Sequence, residues 1–165
     1  MDPRPDDPII RPAITADAGF LTAMLCEAVA WRPEDRAPSA DEVLARPELA
    51  HYVTGWPRSG DVGVMAETDL PVGAAWCRSF TVDDPGYGFV DPDVPELSIA
   101  VAQRWRGMGV GRLLLTELID GARQAGHERL SLSVEPDNPA LKLYRSLGFE
   151  PVGSSGGAET LLRVL

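Results

Sequence analysis

The stretch from Arg104 to Arg112, RWRGMGVGR, constrains the chain more than any other, because three glycines alternate at the junction of a strand and a helix. Upstream, Leu97, Ile99 and Val101 alternate with Glu96, Ser98 and Ala100 in the period-two pattern of a strand. Downstream, Val110, Leu114, Leu118 and Ala122 recur every fourth residue with Leu113, Leu115 and Ile119 beside them, which predicts an amphipathic helix closed by Gly126. Leu130, Leu132 and Val134 then alternate with Ser131 and Ser133 in a second strand, completing a β-α-β unit. At the glycine turn, backbone N–H groups from Gly107 through Met108, Gly109, Val110 and Gly111 can point outward with little side chain in the way. The helix dipole adds positive potential at the same place, and Arg104, Arg106 and Arg112 can reinforce it. The pattern is an anion cradle suited to a pyrophosphate.

Two other phosphate motifs fit this spacing poorly. A P-loop needs GxxxxGK followed by Ser or Thr, and the segment has no lysine. A dinucleotide fingerprint needs GxGxxG, but counting from Gly107 or Gly109 puts Arg112 or Leu114 at the last glycine, although Glu135 could imitate the ribose-binding acid. A tight glycine turn without any ligand is the remaining alternative.

The rest of the chain frames the unit. After a Pro-rich start, with 1–8 expected to be loose, Ile9 to Arg11 reads as a short strand and Thr15 as the N-cap of a helix over 16–30. A second helix begins near Ser39 and carries Val43, Leu44, Leu49 and Tyr52, with Pro47 inside it. Asp61 to Glu67 and Val72 to Phe80 form a hairpin about the turn TDLP. The segment 81–95, TVDDPGYGFVDPDVP, is too rich in Asp, Gly and Pro for regular structure and reads as a surface excursion or as a lid over a pocket. Asn138-Pro139 starts a short helix ended by Gly148, and Phe149 to Val152 and Thr160 to Leu165 are closing strands joined by a flexible GSSGGA. The order βααβββαβαββ predicts an α/β (α+β) protein with a mixed, mostly antiparallel sheet and helices on both faces. With 165 residues, a single domain over 1–165 is expected.

Composition excludes several function classes. A net charge of −10 opposes nucleic acid and anionic membrane as partners, since both rely on basic patches; an amine-bearing partner is compatible, and an acidic surface that only keeps the chain in solution is an equal reading. No apolar run approaches a membrane span, and MDPRPDDP lacks the regions of a signal peptide, so a cytoplasmic location is expected. Cys26 and Cys77 lack CxxC spacing and only His51 and His127 could join them, so no metal is expected and buried free thiols are.

Arg104, Gly107 and Gly109 match the (Q/R)xxGx(G/A) signature of the GNAT superfamily of acyl-CoA-dependent N-acyltransferases, and NPALKLYRSLGF over 138–149 resembles that family's later segment of Asn, Ala and Tyr before Gly-Phe. IIRPAITADA and PVGAAW resemble its first strand and helix and its third strand, so the resemblance covers nearly the whole chain. It implies direct transfer of an acetyl group from acetyl-CoA to an amine, without a metal. By the same resemblance the strand before the glycine turn splays from its parallel neighbour, and pantetheine lies in the gap against backbone groups of Ile99, Ala100 and Val101. A backbone N–H there would polarise the thioester carbonyl.

Thioester aminolysis needs a base for the ammonium and an acid for the departing sulfur. The resemblance makes Tyr144 the general acid, against packing in an amphipathic helix as the alternative. It makes Glu96 the candidate base, directly or through water; an ordinary strand-edge glutamate is the other reading. Asn138 can contact the coenzyme, and its N-cap role explains it equally well. Acceptor recognition is expected from the first two helices and the 81–95 loop, with Trp31, Trp56 and Tyr87 among the aromatic groups, each of which is as often a core residue. The function expected is N-acetylation of a primary amine of a small molecule, with a protein α-amine or lysine as the nearest alternative. A non-catalytic acyl-CoA sensor is the reading from another class. A homodimer is common among similar proteins.

Overall fold

Alternating apolar residues along β3 (Pro71–Arg78) face two cores at once, which sets the architecture of the computed structural model, in which residues 7–165 are described. Ala75 and Cys77 enter one buried cluster with the helix α4 (Val110–Gln124), while Ala74 and Trp76 enter another with the helices α1 (Ala18–Val29), α2 (Ala40–Leu44) and α3 (Pro47–Ala50). Successive side chains of a strand point to opposite faces, so the helices cover both sides of one sheet. The other strands are β1 (Ile9–Pro12), β2 (Val62–Glu67), β4 (Glu96–Val101), β5 (Arg129–Val134), β6 (Glu150–Ser155) and β7 (Ala158–Val164), and α5 (Ala140–Ser146) lies between β5 and β6 in the chain. The seven strands lie in the order β1-β2-β3-β4-β5-β7-β6, antiparallel throughout except for β4 against β5. This is the expected mixed α/β class.

Three local expectations are corrected. The second helix is split into α2 and α3, because Arg46 is extended (φ −106°, ψ 107°) before Pro47, which opens α3 at its first position. Thr15 is not a cap: a 3₁₀ turn over Thr15–Asp17 precedes α1, and the Ile14 N–H donates to the Asp17 carboxylate at 2.7 Å. That carboxylate also binds Arg11 at 2.8 Å, and the guanidinium holds the Asp17 carboxyl below its usual range. The GSSGGA segment is not a slack link, since β6 and β7 pair as far as Ser155 and Ala158 around a two-residue Gly156-Gly157 turn. The loose start expected at 1–8 falls mainly on residues 1–6, which lie outside the described residues. Cys26 and Cys77 are buried free thiols.

No helix among the described residues is long and apolar enough to cross a membrane. Irregular chain from Ser79 to Pro95 connects β3 to β4, and its Gly86 and Gly88 are buried while Tyr87 is about half exposed. The aromatic side chain points outward and the bare glycine backbone lies inward, which decides what this loop does at the site.

Candidate active site

After β4 ends at Val101, a 3₁₀ turn over Gln103–Trp105 leads into Gly107 (φ 74°) and Gly109 (φ 84°). These left-handed conformations let the chain reverse directly into α4, and L side chains adopt them at a cost. A Cβ at either glycine would meet nothing within 4 Å, so the space above the turn is open. Gly109 is the N-cap of α4 and has no side chain to cap it, and the first turn carries no acid. The leading N–H groups of the helix are therefore left for an outside acceptor, at the positive end of the dipole. This suits an anion, as the glycine pattern predicts.

The three arginines of the turn are placed differently. Arg104 is exposed on the 3₁₀ turn, as is Met108 two residues into the glycine segment. Arg106 is folded back, with Nε donating to the Val101 carbonyl at 3.0 Å and Nη2 paired with Glu27 of α1 at 3.1 Å. Arg112 reaches the neighbouring helix, donating to Ser146 Oγ at 2.9 Å. Gly111 brings α4 close to α5 and β4, for a Cβ there would lie 3.3 Å from the Leu143 side chain and 4.0 Å from that of Ile99.

β4 meets β5 at one register pair, Glu96 with Ser131, supported by the Ser131 N–H donating to the Pro95 carbonyl at 3.0 Å. Against β3, by contrast, β4 is paired along its whole length, from Glu96 opposite Arg78 to Val101 opposite Gly73. Beyond the first residue, then, Ile99, Ala100 and Val101 have a ladder on one side only. A parallel strand directs alternate backbone groups to each side, so the side toward β5 carries donors and acceptors without a strand partner. Asn138 caps α5, its Oδ1 accepting the Ala140 N–H at 2.9 Å.

Glu96, at the start of β4, is only 4% exposed. Its Oε2 accepts the Tyr52 hydroxyl at 2.5 Å and its Oε1 accepts the Gly88 N–H at 2.8 Å. Burial pushes its pKa up to about 7, against the two hydrogen bonds, which favour the ionised form. A carboxyl in this range is poised to exchange a proton near neutrality. The Tyr144 hydroxyl, buried in the cluster that holds Val110, Leu132 and Val134, is pushed up to about 12 by burial. Its ring meets Phe149 edge-on at 6.2 Å, and no hydrogen bond engages its hydroxyl among the described residues. The hydroxyl is neutral at physiological pH.

Sequence reasoning missed Tyr52, Gly86, Gly88 and Ser131. Tyr52 reads as one more apolar position of a helix; in the fold it sits in the turn after α3 and joins Glu96 to the loop, accepting the Tyr87 N–H at 2.8 Å. The Gly-Tyr-Gly run at 86–88 was the available signal, since glycines around an aromatic mark a backbone pressed against something. Of the aromatic groups expected to face an acceptor, Trp56 is a core residue, 7% exposed, with Nε1 donating to the Ile14 carbonyl at 3.1 Å. Trp31 packs under Arg32, whose guanidinium lies 4.3 Å from its ring and also pairs with Glu135 and Asp137 beyond β5. Tyr87 lines a cleft between the loop and β6, opposite Val152 and Gly153.

Known proteins resemble this arrangement along nearly its whole length. The chain is 30% identical over 125 residues to the L-2,4-diaminobutyric acid acetyltransferase of Nocardia farcinica, covering 67% of this chain and 64% of that protein. It is 35% identical over 150 residues to the L-methionine sulfoximine/L-methionine sulfone acetyltransferase of Salmonella typhimurium, covering 85% and 78% respectively. Among solved structures, the ribosomal-protein-alanine N-acetyltransferase of Brucella melitensis superposes with a TM-score of 0.69 at 29% identity, over 95% of this chain and 99% of that one. The Salmonella typhimurium yncA structure, solved with its cofactor acetyl-CoA, superposes with a TM-score of 0.66 at 28% identity, over 96% and 94%. The model of the acetyltransferase (GNAT) family matches residues 23–149, a span that runs from α1 through the glycine turn and Glu96 to the end of α5, and the chain belongs to that family.

Proposed function

We propose that this chain is an N-acetyltransferase that moves an acetyl group from acetyl-CoA directly to a primary amine of a small molecule in the cytoplasm. The observation that carries the reading is the single rung between β4 and β5, which opens a slot lined by backbone groups beside an uncapped helix N-terminus. Pyrophosphate suits Gly107 to Arg112, and the backbone of Ile99 to Val101 suits the amide-bearing arm. Two of the similar proteins are named for amino-acid acceptors, which supports a small amine, while the similar structure named for a ribosomal-protein alanine keeps a protein acceptor as the second reading.

Bound there, acetyl-CoA supplies an activated thioester. Glu96 takes a proton from the acceptor ammonium, directly or through water, so that the nitrogen lone pair can attack the carbonyl carbon. A β4 backbone N–H directed into the slot stabilises the charge that develops on the carbonyl oxygen. The C–S bond then breaks, Tyr144 gives its proton to the departing sulfur, and the Tyr144 phenolate takes the second proton of the nitrogen, directly or through water, which restores the phenol and leaves a neutral amide. The products are the amide and the free thiol.

The test offers acetyl-CoA with a panel of amino acids, other small amines and peptides, and follows thiol release. Release that depends on a small amine, and falls with Tyr144→Phe, is the expected result. Thiol release with peptides alone would move the acceptor to the protein class, and no release with any amine, despite stabilisation by coenzyme A, would leave a sensor. At 100 times its Kd, coenzyme A should stabilise the fold by about 2.7 kcal/mol, and stabilisation by NAD in its place would remove the reading.

A further inference from the structure

We propose that Tyr52 is a positioning residue that ties the 81–95 loop to Glu96, so that the loop is held closed while Glu96 is ionised and is released when Glu96 takes a proton. The role in turnover rests on reading Glu96 as the base; the linkage itself rests on hydrogen-bond direction. The Tyr87 N–H donates to the Tyr52 hydroxyl oxygen, the hydroxyl donates onward to Glu96 Oε2, and the Gly88 N–H donates to Oε1. Every hydrogen in this relay points toward the carboxylate.

An ionised carboxylate accepts only, so it satisfies both donors. A carboxylic acid brings a hydrogen of its own. On Oε2 that hydrogen confronts the hydroxyl of Tyr52, which cannot turn around without facing the Tyr87 N–H. On Oε1 it confronts the Gly88 N–H. On either oxygen the new hydrogen competes with a donor already there, and the N–H groups of the relay, those of Tyr87 and Gly88, belong to the loop.

The loop is shaped for this seat. A Cβ at Gly86 would lie 2.3 Å from Glu96 Oε1 and 2.9 Å from the Tyr52 hydroxyl, and one at Gly88 would lie 2.6 Å from the Leu132 carbonyl carbon of β5. Only bare backbone fits between the carboxylate and β5. Among the described residues, none of the charged neighbours bonds Glu96 itself, although His51 holds the same loop through Asp84. Arg78, opposite Glu96 on β3, binds Asp61 and the carbonyls of His51 and Thr54. His51 stands edge-on to Tyr52 at 4.7 Å with Nδ1 on Asp84 of the loop, and Ser131, opposite on β5, has a buried hydroxyl without a partner. The donors from Tyr52 and Gly88 thus oppose burial in setting the charge of Glu96.

In turnover, the proton taken from the acceptor neutralises Glu96 and loosens the loop as the amine is consumed. The proton leaves to water once the loop opens, and the loop closes again on the ionised carboxylate.

Amide exchange of the wild-type protein tests the linkage without any variant. After correction for intrinsic rates, protection at Tyr87 and Gly88 should fall about tenfold between about pH 8 and about pH 6. Protection that does not change with pH would overturn the proposal. Tyr52→Phe keeps the ring against Phe80 and removes the relay. It should abolish the extra protection at Tyr87 and move the acid limb of kcat/KM to higher pH, since a hydrogen bond favouring the ionised form is gone. An unmoved acid limb with unchanged exchange would also overturn it. Glu96→Gln separates the two readings: if it kept full activity and the acid limb, the base assignment would fail, while the wild-type exchange experiment would still decide the linkage.

Discussion

The two ends of β4 are built in opposite ways. At its C-terminal end, the turn from Arg104 to Arg112 is open, with bare backbone, left-handed glycines and an uncapped helix that face outward. At its N-terminal end, Glu96 is enclosed by a turn, a loop and a neighbouring strand, and each of its oxygens has an assigned donor. The contrast matches two chemical demands of the proposed reaction. Capture of a diffusing polyanion needs donors within reach of water, whereas a carboxyl that must trade protons near neutrality needs burial to raise its pKa and hydrogen bonds to limit the rise.

The comparison predicts that damage at the two ends separates kinetically. Glu96→Gln should lower kcat/KM by about 10² to 10⁴ while leaving the affinity for coenzyme A, measured by calorimetry, near that of the wild type. Equal loss of both would merge the two ends into one site. Because Glu96 sits near pKa 7, it is protonated below that pH and cannot accept; kcat/KM should therefore fall as pH drops through about 7, a limb absent in the variant. The enclosed end also depends on Arg78 being held, since Arg78 and Asp61 form a pair with side chains only 1% and 2% exposed. Asp61→Asn leaves a buried guanidinium short of its partner and should cost about 3–5 kcal/mol in denaturant unfolding.

At the open end, Gly109→Val forces a β-branched residue into φ 84°. It should cost about 1–2 kcal/mol of stability and raise the KM for acetyl-CoA more than it changes the acid limb. A shift of the limb instead would show that the ends communicate. The smallest effect is expected from Arg32→Ala, which removes the pairs with Glu135 and Asp137. These are partly solvated, so unfolding should change by under about 1 kcal/mol.

The open end was legible in the sequence because it is local. Spacing in RWRGMGVGR, the strand before it and the helix after it are all within about one β-α-β unit, and each rests on backbone rules that need no tertiary knowledge. The enclosed end was legible only in part. Glu96 could be picked out at a strand start, but its depth and its partners come from Tyr52, 44 positions earlier, and from Gly88 in a segment with no periodicity. Trp56 shows the converse, an aromatic residue whose type suggested an acceptor and whose place is the core. Pro47 was visible, yet whether it bends one helix or separates two depends on the extended conformation of Arg46.

The lone rung between β4 and β5 also divides the sheet mechanically. On one side, β1 to β4 form a complete antiparallel sheet; on the other, β5, β7 and β6 form a second one, and Glu96 with Ser131 is the stitch between them. A molecule lying in the slot with its amides against Ile99 to Val101 takes the place of missing rungs, as an added strand would. Under the proposed function, acetyl-CoA in this slot would do more than deliver a reactant: it would splice two half-sheets, and the occupied protein should be the stiffer one along the seam.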